Sequence, residues 1–163
     1  MSPTDPDYER RVRDSFARQP FMAHLSARIA SLAPGECVVE ADHAPELTQQ
    51  HGYFHGGVMA SLADSAAGYA AYSLMPADSS VLTVEYKINL MRPGIGERLS
   101  ARARVIRPGR TLSVVQADVY AMSGGTESLC VTSLQTLMCL HGQADDPGRS
   151  SVSAPSRGEG RTL

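Results

Sequence analysis

Apolar and polar residues alternate through the second half of the chain. Residues 81–91 place Val84, Tyr86, Ile88 and Leu90 on one parity and Glu85, Lys87 and Asn89 on the other. Residues 99–107 set Leu99, Ala101, Ala103 and Val105 against Ser100, Arg102, Arg104 and Ile106. This period of two belongs to antiparallel strands covered on one face. Segments 111–122 and 129–140 read as a last hairpin across Ser123-Gly124-Gly125-Thr126, with Pro93-Gly94 and Pro108-Gly109-Arg110 as further turns. Upstream, 24–32 and 36–43 form a hairpin across Pro34-Gly35. Tyr8, Val12 and Phe16, four residues apart, predict a short amphipathic helix over 7–19, and Phe21 and Met22 tuck it onto the body. Residues 44–54, with Pro45, Gln49, Gln50 and His51, read as a loop.

Residues 56–74 break the alternation. They are apolar and small-residue-rich, end at Pro76 and carry a single charge, Asp64. A helix apolar all round is buried. The predicted order is helix, two strands, buried helix, four strands. That is α+β: a long antiparallel sheet around one central apolar helix. The sheet covers one side of the helix, and a second subunit is expected on the other. The expected organisation is an N-terminal helical segment over 1–22, the main domain over 23–141 and a Gly-, Ser- and Pro-rich disordered tail over 142–163.

Composition narrows the function classes. The chain has 163 residues, 42% of them hydrophobic, enough for a core without staples. The net charge of -2 offers no basis for nucleic-acid binding. Three cysteines without a CxxC pair read as reduced thiols, with neither a disulfide framework nor a zinc site. The acidic N-terminus lacks the apolar run of a signal peptide. A charge inside the apolar run argues against a membrane span. A cytoplasmic protein is expected, with no metal or cofactor.

Asp64 is the chemical oddity, because burying an ionised carboxylate is costly without partners. One reading is structural, with Asp64 hydrogen-bonded to Ser61, Ser65 or a backbone N–H. The other is functional. Gly56 and Gly57 stand where loop becomes helix, and first-turn N–H groups there favour developing negative charge. Asp64 lies eight residues beyond Gly56. At 1.5 Å per residue that is about 12 Å, too far for both groups of one chain to grip one carbonyl. Either the first turns are distorted or Asp64 meets the amide of another chain. His51 reads as a loop residue and Tyr69 and Tyr72 as core or interface aromatics. Ser65 and Ser73 lack a nucleophile elbow.

The string His55-Gly56-Gly57-Val58-Met59-Ala60-Ser61-Leu62-Ala63-Asp64 resembles the hotdog-fold acyl-CoA thioesterases of the phenylacetate-pathway and 4-hydroxybenzoyl-CoA thioesterase type. Leu82-Thr83-Val84-Glu85-Tyr86-Lys87-Ile88-Asn89-Leu90-Met91-Arg92-Pro93 resembles the following strand of that family. The resemblance implies that Asp64 is the catalytic carboxylate, as nucleophile or general base. It implies that the Gly56 N–H polarises the thioester carbonyl and that His55 orients the loop. Gln49 then falls near the reacting carbonyl or water, and Thr83 where a Ser or Thr helps position water. The site would lie between subunits of a homodimer or a tetramer built as a dimer of dimers. Where relatives with Glu place Ser or Thr one turn after the acid, this chain has Gly68. Gly57, Ala67 and Gly68 would then leave room for an aromatic or medium-chain acyl group. Arg107 and Arg110, flanking Pro108-Gly109, are candidates for the coenzyme A phosphates. The alternatives are a non-catalytic acyl-CoA binding protein and a hotdog hydratase or dehydratase.

Overall fold

A computed structural model describes residues 1–143 and 145. The N-terminal segment folds as α1 (Tyr8–Ala17) and a short α2 (Pro20–His24). The first hairpin is β1 (Arg28–Ala33) and β2 (Glu36–Asp42). A 3-10 turn at Pro45–Leu47 interrupts the loop before α3 (Gly56–Tyr72). Then come β3 (Ser79–Leu90), β4 (Arg98–Arg107), β5 (Leu112–Ser123) and β6 (Thr126–His141).

The six strands form one antiparallel sheet in the order β1-β2-β4-β5-β6-β3. It wraps α3, which is the expected hotdog arrangement. The inward parities of β4 and β5, including Leu99, Ala101, Val115, Ala117 and Val119, close on Leu62, Ala63, Ala66 and Ala70 of α3 to make the core. All three cysteines are free and buried. Among the described residues no helix is long and apolar enough to cross a membrane. The tail expected over 142–163 lies outside the described residues except for Gly142, Gln143 and Asp145.

Two features depart from the simple alternation. The register of β3 against β6 shifts between Thr83 and Glu85. This bulge puts Thr83 (opposite Leu137) and Tyr86 (opposite Gln135) on the same inward face, although they differ in parity. Secondly, β3 is an edge strand, and its side chains are exposed on both faces. Leu82 is 56%, Val84 49%, Tyr86 45% and Leu90 56% exposed.

Candidate active site

The loop before α3 arrives through hydrogen bonds from the His55 N–H to the Leu47 carbonyl and from the Phe54 N–H to the Gly94 carbonyl, both 2.9 Å. His55 is the N-cap of α3, and its Nδ1 accepts the Gly57 N–H at 2.9 Å. A ring nitrogen here does what a Ser or Asp side chain does at most helix starts. The Val58 and Met59 N–H groups both reach the His55 carbonyl, at 3.0 and 3.3 Å. The Gly56 N–H alone among these has no acceptor among the described residues. It stands beside the exposed end of β3, where a Cβ on Gly56 would lie 3.2 Å from Leu90 Cδ1.

From Gly56 the helix continues without a break to Tyr72. This excludes the distorted first turns that sequence left open. Gly56 and Asp64 of one chain therefore stand about 12 Å apart along the helix axis.

Asp64 sits on a partly exposed stripe of α3 made by Ser61, Asp64, Ser65 and Gly68. The expected all-round apolar helix thus has a polar, small-residue seam. Its positions i, i+3, i+4 and i+7 share one face. The Thr83 hydroxyl donates to Asp64 Oδ1 at 2.8 Å, a reach made possible by the bulge. Burial pushes the Asp64 carboxyl above the usual range, and the Thr83 hydrogen bond partly offsets this. Neither Ser61 nor Ser65 bonds Asp64, since Ser61 Oγ donates to the Gly57 carbonyl at 2.8 Å.

A cavity of about 1010 Å³ opens over this stripe. Asp64, Ser65, Gly68 and Thr83 line it, with Tyr86 from β3 and Gln19 from the N-terminal segment. A Cβ added at Gly68 would meet nothing within 4 Å, so this position faces open space.

The other expected site residues fall elsewhere. Gln49 lies on the Gly56 side, where its Oε1 accepts the His51 N–H within its own loop. Gly57 is exposed at the helix start and outside the cavity. Ala67 is also outside the cavity. One residue step from Gly68 turns it about 100° around the helix, into the core, where it is wholly buried. Arg107 and Arg110 are exposed and do not reach the cavity. The Arg110 carbonyl contacts His141 Nε2 at 2.7 Å, next to the cavity-lining Gly142. Among the described residues no cluster of His, Cys, Asp or Glu could hold a metal ion. Sequence reasoning missed Gln19 and Tyr86, which reach the cavity only through tertiary packing.

Comparison with known proteins identifies relatives of the chain. The model of the thioesterase superfamily matches residues 51–128. The acyl-coenzyme A thioesterase PaaI of Escherichia coli is 31% identical over 107 residues, covering 64% of this chain and 74% of that protein. The acyl-coenzyme A thioesterase 13 of Homo sapiens is 30% identical over 98 residues, covering 60% and 69%. The crystal structure of a thioesterase family protein from Silicibacter pomeroyi is 50% identical. It covers 83% of this chain and 99% of that one at a TM-score of 0.82.

Proposed function

Since this chain belongs to the thioesterase superfamily and is a thioester hydrolase, we propose that it hydrolyses an acyl-coenzyme A at a site shared by two copies of itself. The observation that carries the reading is the half-buried Asp64 carboxylate, held by Thr83 at the wall of a large cavity. Two relatives named as acyl-coenzyme A thioesterases support the coenzyme A ester as substrate.

In this reading the free Gly56 N–H, at the positive end of α3, binds the thioester carbonyl oxygen. It stabilises the oxyanion that forms as the carbonyl carbon becomes tetrahedral. Asp64 of the partner subunit works on the same carbon. As general base it takes a proton from water as the water oxygen bonds to carbon. As nucleophile it bonds first, and water then cleaves the anhydride. In either case the C–S bond breaks, the sulfur leaves as the thiol of coenzyme A, and the carboxylic acid is released. Thr83 orients the Asp64 carboxylate by bonding Oδ1 and leaves the other oxygen free to react, and Gln49 is assigned the place near the carbonyl or water on the Gly56 side. The acyl group, aromatic or of medium length, lies over Gly68.

The edge strand supports the pairing of subunits. An unpaired row of backbone groups flanked by Leu82, Val84 and Leu90 is a template for a second β3. Such a pairing covers the end of β3 beside Gly56 and brings in a second α3.

The test is Asp64→Asn, which keeps shape and hydrogen bonding but no basicity. Hydrolysis of acyl-coenzyme A esters should fall at least about 10²-fold, while the melting temperature stays at or above that of the wild type. Full activity in this variant overturns the proposal.

A further inference from the structure

The cavity has a far end, and the N-terminal segment builds it. Along α3 the open seam passes Asp64, Ser65 and Gly68 and meets Tyr69 and Tyr72. Beyond them stand Ser15, Arg18 and Gln19 of the N-terminal segment, then Phe21 and Met22 of α2. Tyr69 is 3% exposed, and its hydroxyl accepts from Gln19 Nε2 at 2.8 Å and pairs with Ser15 Oγ at 3.2 Å. Its ring packs edge-on against Phe16 and Tyr72.

This wall is anchored. Arg11 of α1 makes a buried ion pair with Asp5 at 2.8 Å. It also donates to the Tyr72 and Met75 carbonyls at the end of α3, at 3.3 and 2.7 Å, and lies 4.2 Å over the Tyr72 ring. Cations are favoured at a helix C-terminus, where carbonyls lack partners. Arg18 donates to the carbonyl and carboxylate of Asp145 at 2.7 and 2.9 Å. An acyl group reaching this end cannot push α1 aside without breaking these contacts.

We propose that the N-terminal helical segment closes the acyl cavity and that the Gln19–Tyr69 pair sets the greatest acyl length the enzyme accepts. Tyr69 is five residues beyond Asp64, about 7.5 Å along the helix. Its hydroxyl is already paired, so an alkyl end pushing past it displaces a hydrogen bond that it cannot replace. The wall therefore admits aromatic or medium-length acyl groups and stops long extended chains. This inference rests on Asp64 being the reacting carboxylate.

The experiment measures kcat/KM over a series of straight-chain acyl-coenzyme A esters, from acetyl to dodecanoyl. Three forms are compared: wild type, Gln19→Ala and Gly68→Leu. Wild type should show a sharp upper limit. Gln19→Ala, which opens the wall, should raise kcat/KM for the first excluded ester about tenfold or more relative to the shorter ones. Gly68→Leu fills the cavity before the wall and should move the limit to shorter chains. The same change should raise the melting temperature, because glycine is a poor helix residue. A loosened fold would lower all esters together and leave their ratios unchanged. A limit that stays put in both variants, or a wild type with no limit, overturns the inference. Asp64→Asn is measured on the same series. If it is inactive while the limit does not move, only the wall is wrong. If it hydrolyses every ester normally, the reading of the active site fails as well.

Discussion

At the scale of the residue, Asp64 is held between two opposing effects. Burial raises its pKa, and the Thr83 hydroxyl lowers it by bonding the ionised form. In the proposed mechanism catalysis needs the carboxylate, so kcat/KM should rise with pH along a limb above the ordinary carboxylate range. Thr83→Val deletes the lowering contribution. Its acidic limb should shift to higher pH, with about tenfold less activity on the acid side, the worth of a hydrogen bond to a charged group. Thr83→Ser should restore the profile, and a pH series on the three proteins checks this. Stability runs the other way. A raised folded pKa means that the stabilisation linked to protonated Asp64 is full below the unfolded pKa. It is lost as pH rises through the folded value. The melting-temperature advantage of Asp64→Asn over wild type should therefore grow from acid to neutral pH. A flat difference would mean that Asp64 ionises in the fold as freely as in the unfolded chain.

At the scale of the element, the start of α3 carries one donor with no acceptor among the described residues. His55 occupies the Gly57 N–H, and the following amides fold back to the His55 carbonyl. Gly56→Pro isolates the remaining group. Proline is favoured at the first helical position and removes the N–H, and the Leu90 side chain shifts slightly to admit the ring. His55 already has the extended backbone that precedes proline, with φ -64° and ψ 138°. The variant should fold with α3 intact by circular dichroism. Its kcat should fall about 10²–10³-fold, as for loss of one oxyanion donor. A nearly unchanged kcat would remove Gly56 from the chemistry. The elements themselves were largely legible in the chain. The run from Gly57 to Leu74 marks α3, and the alternation from Leu99 to Val105 marks an inward face that the fold keeps. Other features were not legible, each for a local reason. The β3 bulge leaves the composition of the strand unchanged, so parity alone assigns Thr83 to the wrong face. Ser61, Ser65 and Gly68 are too small to register as a polar seam until a cavity is seen above them. The reach of Gln19 to Tyr69 spans fifty positions, which no periodicity encodes.

At the scale of the whole molecule, the proposed reading gives each chain two incomplete halves of a site. The unbroken helix separates Gly56 from Asp64 by about 12 Å along its axis. In that reading the β3 edge, uncovered among the described residues, receives a second copy, and two-fold pairing makes each half complete the other. This arrangement has a consequence that a site within one chain lacks. Gly56→Pro and Asp64→Asn are each expected to be inactive alone. In a mixed dimer, however, Gly56 of the Asp64→Asn chain meets Asp64 of the Gly56→Pro chain, and one of the two sites is intact. Equal amounts unfolded together and refolded should give about half mixed dimers, and so about a quarter of wild-type activity. Mixing without subunit exchange should give none, as should a refolded mixture in which Val84→Arg on both chains charges the β3 edge. If the refolded mixture stays as inactive as its parents while mixed dimers are detected by native mass spectrometry, Gly56 and Asp64 do not serve one carbonyl across the interface.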